Sequence, residues 1–419
     1  MLNRENAYIT WRVLKAFIQS IPFYINRLRP INPRKIVFTT IEGTTGFSCN
    51  PKYIALELIE RNGHLSDNDK FELVWLVNDI NKQFPDEIRK VKNTLWNRAR
   101  ELSTAYIWID NSRKQLECKK RKKQIYIQTW HAKLGFKPTC LDRGKSFSKI
   151  AYLVSKHDSD MVDFWLSNSD WYDKTLKTGS LYKGKTIRCG SPRCDILIRA
   201  RDDMKFKNQV KEKIVKEFAV KEEKNKEIHF IMYAPTFRGG SQGVNRSLDE
   251  AGHMPDFKMT IDALEEGFGG KWIILLRLHP QMTVRKITSG IGEEKKEISN
   301  RLIDVSEADD MYELLAGCDA FMTDYSSAAF DAAVMESPVF LYCDDYREYE
   351  NERGKLLWDL RELPFSFAEN NEELITRIRK FDANRYKTEL QNLFVDAGMI
   401  EDGMGSKAMA DFVEKRAAF

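Results

Sequence analysis

The strongest constraint on this chain is a repeating order of short apolar strands and helices. It runs from Arg34 almost to the end of the 419 residues. Residues 35–40 open the series as a strand, and Glu42 to Gly46 make a turn. Asn50-Pro51 then starts a helix through Glu60, with Asn as N-cap and Pro in the first turn. Further strands are expected at 71–77, 105–109, 125–128, 164–167 and 186–189. Such alternation indicates parallel βαβ units. It lapses over 200–226, a highly charged helical stretch. It restarts with strands at 228–234, 272–278, 302–305, 320–323 and 339–342, with helices at 256–266, 309–316 and 327–335. Two series predict an α/β protein of two Rossmann-like domains, 34–195 and 196–400, facing a cleft, with a C-terminal helix in 401–419. Ligands then belong at the carboxyl ends of the strands.

Composition supports a packed enzyme-sized chain, with 42% apolar and 31% charged residues. A net charge of +5 is too small for a nucleic-acid coat, so no nucleic-acid partner is expected. The seven cysteines are scattered without a C-x-x-C pair, which reads as reduced thiols. No run approaches the roughly 20 apolar residues of a membrane-spanning helix. Residues 1–33 stand apart. No acidic residue occurs from Asn6 to Ile36, yet Arg12, Lys15, Arg27, Arg29, Arg34 and Lys35 do. Trp11, Leu14, Ile18, Ile21, Ile25 and Leu28 recur at helical spacing among them. This amphipathic segment either lies on an anionic membrane surface or packs on its own domain. On the first reading it is separable, and its removal spares donor binding. The basic run 113–123 is a solvated loop or an addition to such a surface.

Four strand-end loops carry residues fit for chemistry. Thr323-Asp-Tyr-Ser-Ser327 runs from a buried strand into a helix, whose free N–H groups and positive end suit a phosphate; the alternative is a bare Ser N-cap. Arg238 and Arg277, at neighbouring strand ends, offer the cations a diphosphate needs. His131 and His279 end strands in the first and second domains, where a near-neutral imidazole can take a proton or steady an anion. Gly43-x-x-Gly46 lacks the full dinucleotide glycine pattern and reads as a turn. No carboxylate cluster has metal-ligand spacing, so no structural metal is expected, and any Mg²⁺ would be loosely held.

Together these loops resemble the CDP-glycerol glycerophosphotransferase family of teichoic-acid-type polymer synthesis. Tyr233-Ala-Pro-Thr-Phe-Arg238, Arg277-Leu-His-Pro280 and Asp324-Tyr-Ser-Ser327 with Phe330-Asp331 occur in the family order. Gly190-Ser-Pro-Arg-Cys-Asp195, Asn50-Pro51-Lys52, Pro338, the segment Asp345 to Gly354 and Asp402-Gly403 with Ser406 extend the similarity over 34–412. The resemblance implies a GT-B-like fold and a CDP-linked polyol donor, glycerol phosphate before ribitol phosphate. It also implies a membrane-linked glycan or polyol-phosphate acceptor, release of CMP, and work as a peripheral protein at the cytoplasmic membrane face. For such a transfer the catalytic residues expected are His131, as base, and His279, steadying the phosphates with Arg238; Arg238, Arg277, Thr323, Asp324, Ser326 and Ser327 would bind the donor. Two positions depart from the family. Ala132-Lys133-Leu134 stands where Gly-Thr-Pro usually follows the His, and Phe365 stands where Gly is common. A nucleotide-sugar glycosyltransferase on the same fold, or an inactive membrane-bound scaffold, are the rival readings.

Overall fold

The computed structural model describes residues 4–220, 226–236, 253–278 and 300–417. It forms two compact units. The first comprises Met1–Lys133, Pro138–Asp195 and Gly398–Phe419; the second comprises Leu134–Lys137 and Ile196–Ala397.

The first unit is built on seven parallel strands: β1 Asn32–Thr39, β2 Glu72–Val77, β3 Ile88–Lys92, β4 Ala105–Asp110, β5 Ile125–Gln128, β6 Phe164–Ser167 and β7 Lys185–Arg188. Their order is β3-β2-β1-β4-β5-β6-β7, so the direction of winding reverses between β1 and β4. Residues Leu73 to Val77 are buried without interruption, as a strand covered on both faces requires. Trp75 stacks on Phe38 at 5.3 Å and meets the edge of Phe47 at 5.2 Å. The sequence signal missed β3, whose Ile-Arg-Lys-Val-Lys composition is that of a charged sheet edge.

The expected helix after β1 spans Cys49–Asn62, so its cap falls two residues before the proposed one. Ser48, not Asn50, precedes it. Asn50 is buried instead, and its side chain bonds across to the loop after β5. The same sheet face receives helix Gly405–Ala417, whose Met409, Ala410 and Val413 enter the core beside Ile54 and Leu58. Asp195 accepts the N–H groups of Gly405 (3.0 Å) and Ser406 (2.7 Å), satisfying that helix start. A Cβ on Gly405 would stand 2.5 Å from the Gly190 carbonyl oxygen, so only glycine fits there. The two motifs around Asp195 and Ser406 thus meet as a structural clasp.

The N-terminal segment forms α1 (Arg4–Gln19) and α2 (Ile21–Asn26). They divide the two readings between them. Phe23 of α2 is fully buried against a cluster containing Trp108, Tyr126 and Trp165, and its carbonyl accepts from Ser103 Oγ. This segment is therefore not separable: its removal would open the core. On α1, by contrast, Trp11, Leu14, Phe17 and Ile18 are 52–69% exposed. The basic run 113–123 is largely internal. Lys120 pairs with Asp163 and Arg121 bonds the Arg29 and Ser103 carbonyls, leaving Lys122 and Lys123 exposed.

The second unit repeats the plan with six parallel strands: β8 Ile228–Tyr233, β9 Lys271–Leu276, β10 Leu302–Asp304, β11 Ala320–Thr323, β12 Val339–Tyr342 and β13 Ser366–Ala368. Their order is β10-β9-β8-β11-β12-β13, with the reversal between β8 and β11. Three-residue β13 is too short to leave a periodic signal. The charged stretch before β8 is two helices, Asp195–Asp202 and Met204–Glu217, divided at Asp203, whose carboxylate caps the second.

Asp319, just before β11, gathers Lys207 at 3.0 Å, Lys211 at 2.8 Å and His229 at 3.3 Å. Burial alone would raise its pKa, but the His229 hydrogen bond and the two lysines outweigh it and hold the carboxyl well below the usual range. A depressed folded pKa gives stability that is present above the unfolded pKa and lost as pH falls through the folded one. Asp319→Asn should therefore cost about 3 kcal/mol at pH 7, as breaking a buried ion cluster does. The penalty should fade below about pH 4, where the unfolded carboxyl is protonated. Urea unfolding of both proteins at pH 7 and at pH 3 measures the difference.

Candidate active site

In the first unit the chain leaves β5 at Gln128 and turns sharply. Thr129 is fixed to the Asp110 carbonyl through its N–H (2.7 Å) and its hydroxyl (2.9 Å). Trp130 follows with φ +52°, a left-handed conformation that costs a bulky residue energy and is held by its surroundings. Asn50 Nδ2 donates to the Trp130 carbonyl (2.9 Å), and Trp130 N–H donates to Gln128 Oε1 (2.9 Å). The turn presents His131. Its Nδ1 lies 2.8 Å from the carbonyl oxygen of Asn111, the first residue after β4. A carbonyl only accepts, so Nδ1 carries the proton and Nε2 keeps its lone pair.

The His131 ring stacks on Trp130 at 4.6 Å, and the Arg113 guanidinium covers the Trp130 ring at 5.1 Å. Desolvation lowers the His131 pKa, and the charges of Arg193, Lys133 and Arg113 lower it further, against the raising effect of the Asn111 carbonyl. His131 is exposed to solvent, which weakens the desolvation; the neighbouring cations still favour neutral imidazole, against the Asn111 carbonyl. Beneath the turn, Lys133 is 3% exposed and donates to the carbonyls of Thr129 and Leu166, 2.5 Å each. Burial, then the nearby Arg193, pushes its pKa down to about 7. Lys133 is part of the family departure Ala132-Lys133-Leu134, and it ties the His-bearing turn to the end of β6. Asn111 was not named in the sequence reading, and Arg113, Lys133 and the buried Arg193 entered it only within the basic run, the family departure and the Gly190–Asp195 motif, with no role at this site. Asn111 was open to the strand-end rule, since it is the polar residue directly after β4.

In the second unit the loops after β8 and β11 meet at the point of reversal. Thr323 Oγ1 donates to the Ala234 carbonyl (2.6 Å), and Asp324 accepts from Thr236 N–H (2.8 Å) and the Thr236 hydroxyl (3.0 Å). Both are buried, and these bonds join the ends of β8 and β11, so the two side chains shape the loop expected to hold the donor. Arg277 is half-buried, and one nitrogen of its guanidinium donates to the carbonyls of Val305 (2.8 Å) and Ser306 (2.5 Å). Ser326 and Ser327 are half-buried, and Ser327 makes no capping bond. The helix after them spans only Ala328–Ala333, shorter than expected, so its dipole is weak and the hydroxyls count for more. Arg238 and His279 lie outside the described residues.

Residues Leu134–Lys137 pack within this unit. Phe136 meets Phe330 at 4.9 Å and Phe365 at 6.2 Å, and its carbonyl accepts from Leu357 N–H. The second departure, Phe365, thus fills the aromatic cluster that receives Phe136. Among the described residues, one group brings metal-ligating atoms within 4.8 Å of each other: His253, Asp344 and Asp345. His253 Nδ1 is 3.0 Å from Asp344 Oδ1, and Asp345 accepts from the Tyr325 hydroxyl at 2.8 Å. Distance along the chain hid this group from the spacing rule.

The neutral His131 is directly measurable. Nitrogen NMR should show the Nδ1-protonated tautomer at pH 7 and a titration below the unperturbed 6.5. Lys133→Met, which removes a like charge, should raise that pKa. A wild-type value above 7 would contradict the electrostatics described.

Residues 21–415 match the family described as CDP-glycerol:poly(glycerophosphate) glycerophosphotransferase. A teichoic acid poly(glycerol phosphate) polymerase of Bacillus spizizenii is 26% identical over 97% of this chain and 99% of its own length. A teichoic acid glycerol-phosphate transferase of Staphylococcus aureus is 27% identical over 74% of this chain and 76% of its own. Among solved structures, a variant of the wall teichoic acid polymerase TagF superposes with a TM-score of 0.76 at 22% identity, covering 98% of this chain and 97% of that one. That likeness establishes a shared fold. With the family match spanning nearly the whole chain, the protein belongs to the CDP-glycerol:poly(glycerophosphate) glycerophosphotransferases.

Proposed function

We propose that the protein transfers a polyol phosphate, glycerol phosphate first, from a CDP-polyol to a hydroxyl of a teichoic-acid-type acceptor and releases CMP. The observation that carries this reading, beyond family membership, is the His131 tautomer. An acceptor oxygen attacks the donor phosphorus next to the polyol, and its proton passes to His131 Nε2. The new P–O bond forms as the bond to the bridging oxygen breaks, and CMP leaves with that oxygen. In-line positioning and charge stabilisation supply most of the acceleration in such transfers. Ser326 and Ser327 hydroxyls, with Arg238 and His279 from the sequence reading, would hold the diphosphate. The buried Thr323 and Asp324 and the half-buried Arg277 bond neighbouring loops and keep that region in shape. A magnesium ion arriving with the diphosphate would have His253, Asp344 and Asp345 as ligand-type side chains at the carboxyl end of β12.

The acceptor reading places the protein at the cytoplasmic membrane face, and α1 supports it. The stripe Trp11, Leu14, Phe17 and Ile18 is exposed among the described residues, and Arg12 and Lys15 flank it. Among the described residues, no helix is long and apolar enough to cross a membrane. An interfacial helix needs only such a stripe plus cations, each worth about 1 kcal/mol beside anionic lipid.

The test is CMP release from CDP-glycerol and CDP-ribitol in the presence of a lipid-linked acceptor. His131→Ala should lower turnover by roughly 10²–10⁴-fold, the usual contribution of a general base. Its CDP-glycerol affinity should stay unchanged. Ser326→Ala with Ser327→Ala should instead weaken that affinity. A folded His131→Ala protein with near-wild-type turnover removes the base assignment, and a product without donor phosphorus would indicate glycosyl transfer. For the membrane, Trp11→Glu with Phe17→Glu should abolish sedimentation with phosphatidylglycerol vesicles at low salt while leaving the melting temperature intact.

A further inference from the structure

Beside α1 the first unit contains a cavity of about 560 Å³. Asn6 and Ile9 of α1 form one wall. Leu141, from the turn Cys140–Ser146, and Lys149, Tyr152 and Leu153, from helix Lys149–Met161, form the rest. Its size is that of a small-molecule site. Its lining is mostly apolar, with Asn6, Lys149 and the Tyr152 hydroxyl as the polar groups, and an apolar cavity is a poor host for water and a good one for hydrocarbon.

Three observations say what fills it. Leu141 and Tyr152 are 48% and 40% exposed, so the cavity opens onto an apolar surface and is not sealed. The helix that forms one wall also carries the exposed Tyr8, Trp11 and Phe17, and Phe17 lies about three turns beyond the wall residue Asn6 on the same helical face, so apolar surface continues from the entrance along α1. The ammonium of Lys149 is 64% exposed and pairs with the exposed Glu5 carboxylate at 3.5 Å. A pairing that open is readily exchanged for another anion. The occupant is thus apolar along its body and anionic at one end.

We propose that this cavity takes one hydrocarbon chain of an anionic membrane phospholipid, with the lipid phosphate at Lys149. The proposal rests on the interfacial docking of α1 argued above. It adds a discrete, saturable lipid site to what would otherwise be adsorption of a helix.

The probe is dodecyl phosphate, a single chain with an anionic head, titrated below its micelle concentration into the full-length protein in a calorimeter. One equivalent should bind. Leu153→Trp, which fills the cavity, should weaken binding at least tenfold; Leu141→Trp, at an exposed wall position, provides the same test should the first variant fold poorly. Lys149→Glu should weaken dodecyl phosphate and favour dodecyltrimethylammonium. Failure of the wild type to bind, or equal binding by both tryptophan variants, would overturn the proposal. Sedimentation with phosphatidylglycerol vesicles reports the docking of α1 separately. A protein that sediments but does not bind dodecyl phosphate refutes the site and leaves the docking, whereas one that binds dodecyl phosphate without sedimenting keeps the site and refutes the docking.

Discussion

The hydrogen bond between His131 Nδ1 and the Asn111 carbonyl is the contact on which the first unit's chemistry depends. It joins the ends of β4 and β5 and, through a backbone atom that no substitution removes, sets the imidazole tautomer. Everything nearby serves to bring those two strand ends into place. Thr129 grips the Asp110 carbonyl, Asn50 holds the Trp130 carbonyl, and Lys133 ties the turn to β6. The strained Trp130 is the visible cost of that arrangement. A buried lysine with two carbonyl acceptors is a demanding device, since an unpaired ammonium there would be strongly destabilising. This chain thus holds the turn by a cation.

The second sheet repeats the strand order but spends its polar groups differently. Thr323, Asp324 and Arg277 satisfy backbone groups of neighbouring loops and so make a rigid floor. Polar residues at strand ends therefore divide into those that build the loop and those that meet the ligand. Sequence alone does not separate the two, because both roles call for the same residue types at the same positions.

The strand series was legible because parallel strands buried on both faces are continuous apolar runs, such as Phe-Met-Thr before Asp324 or Val-Phe-Leu-Tyr after Pro338. What failed was either charged, like edge strand β3, or very short, like β13. Asn50 was misplaced because an Asn-Pro pair looks the same whether the Asn caps its own helix or reaches into a neighbouring loop. The N-terminal segment defeated an either-or reading because its two helices have opposite fates: Phe23 is core, while Trp11 and Phe17 face outward. Asn111 and Lys133 acquire meaning only from contacts, and the three-residue separation of Asp110 and Arg113 gives no hint of the ring column above them.

The first unit is assembled from three separate stretches of chain, the last of which supplies Met409, Ala410 and Val413 to its core and rests on Asp195. During synthesis the ribosome therefore delivers the whole of Ile196–Ala397 before the first sheet can be fully covered. At translation rates of roughly 5–20 residues per second, the 200-odd intervening residues leave that sheet incomplete for about 10–40 s. The second unit, drawn almost entirely from one continuous stretch, can close during this interval. Order of emergence and order of completion are thus reversed, and the N-terminal half is the part of the nascent protein that waits longest with apolar surface uncovered.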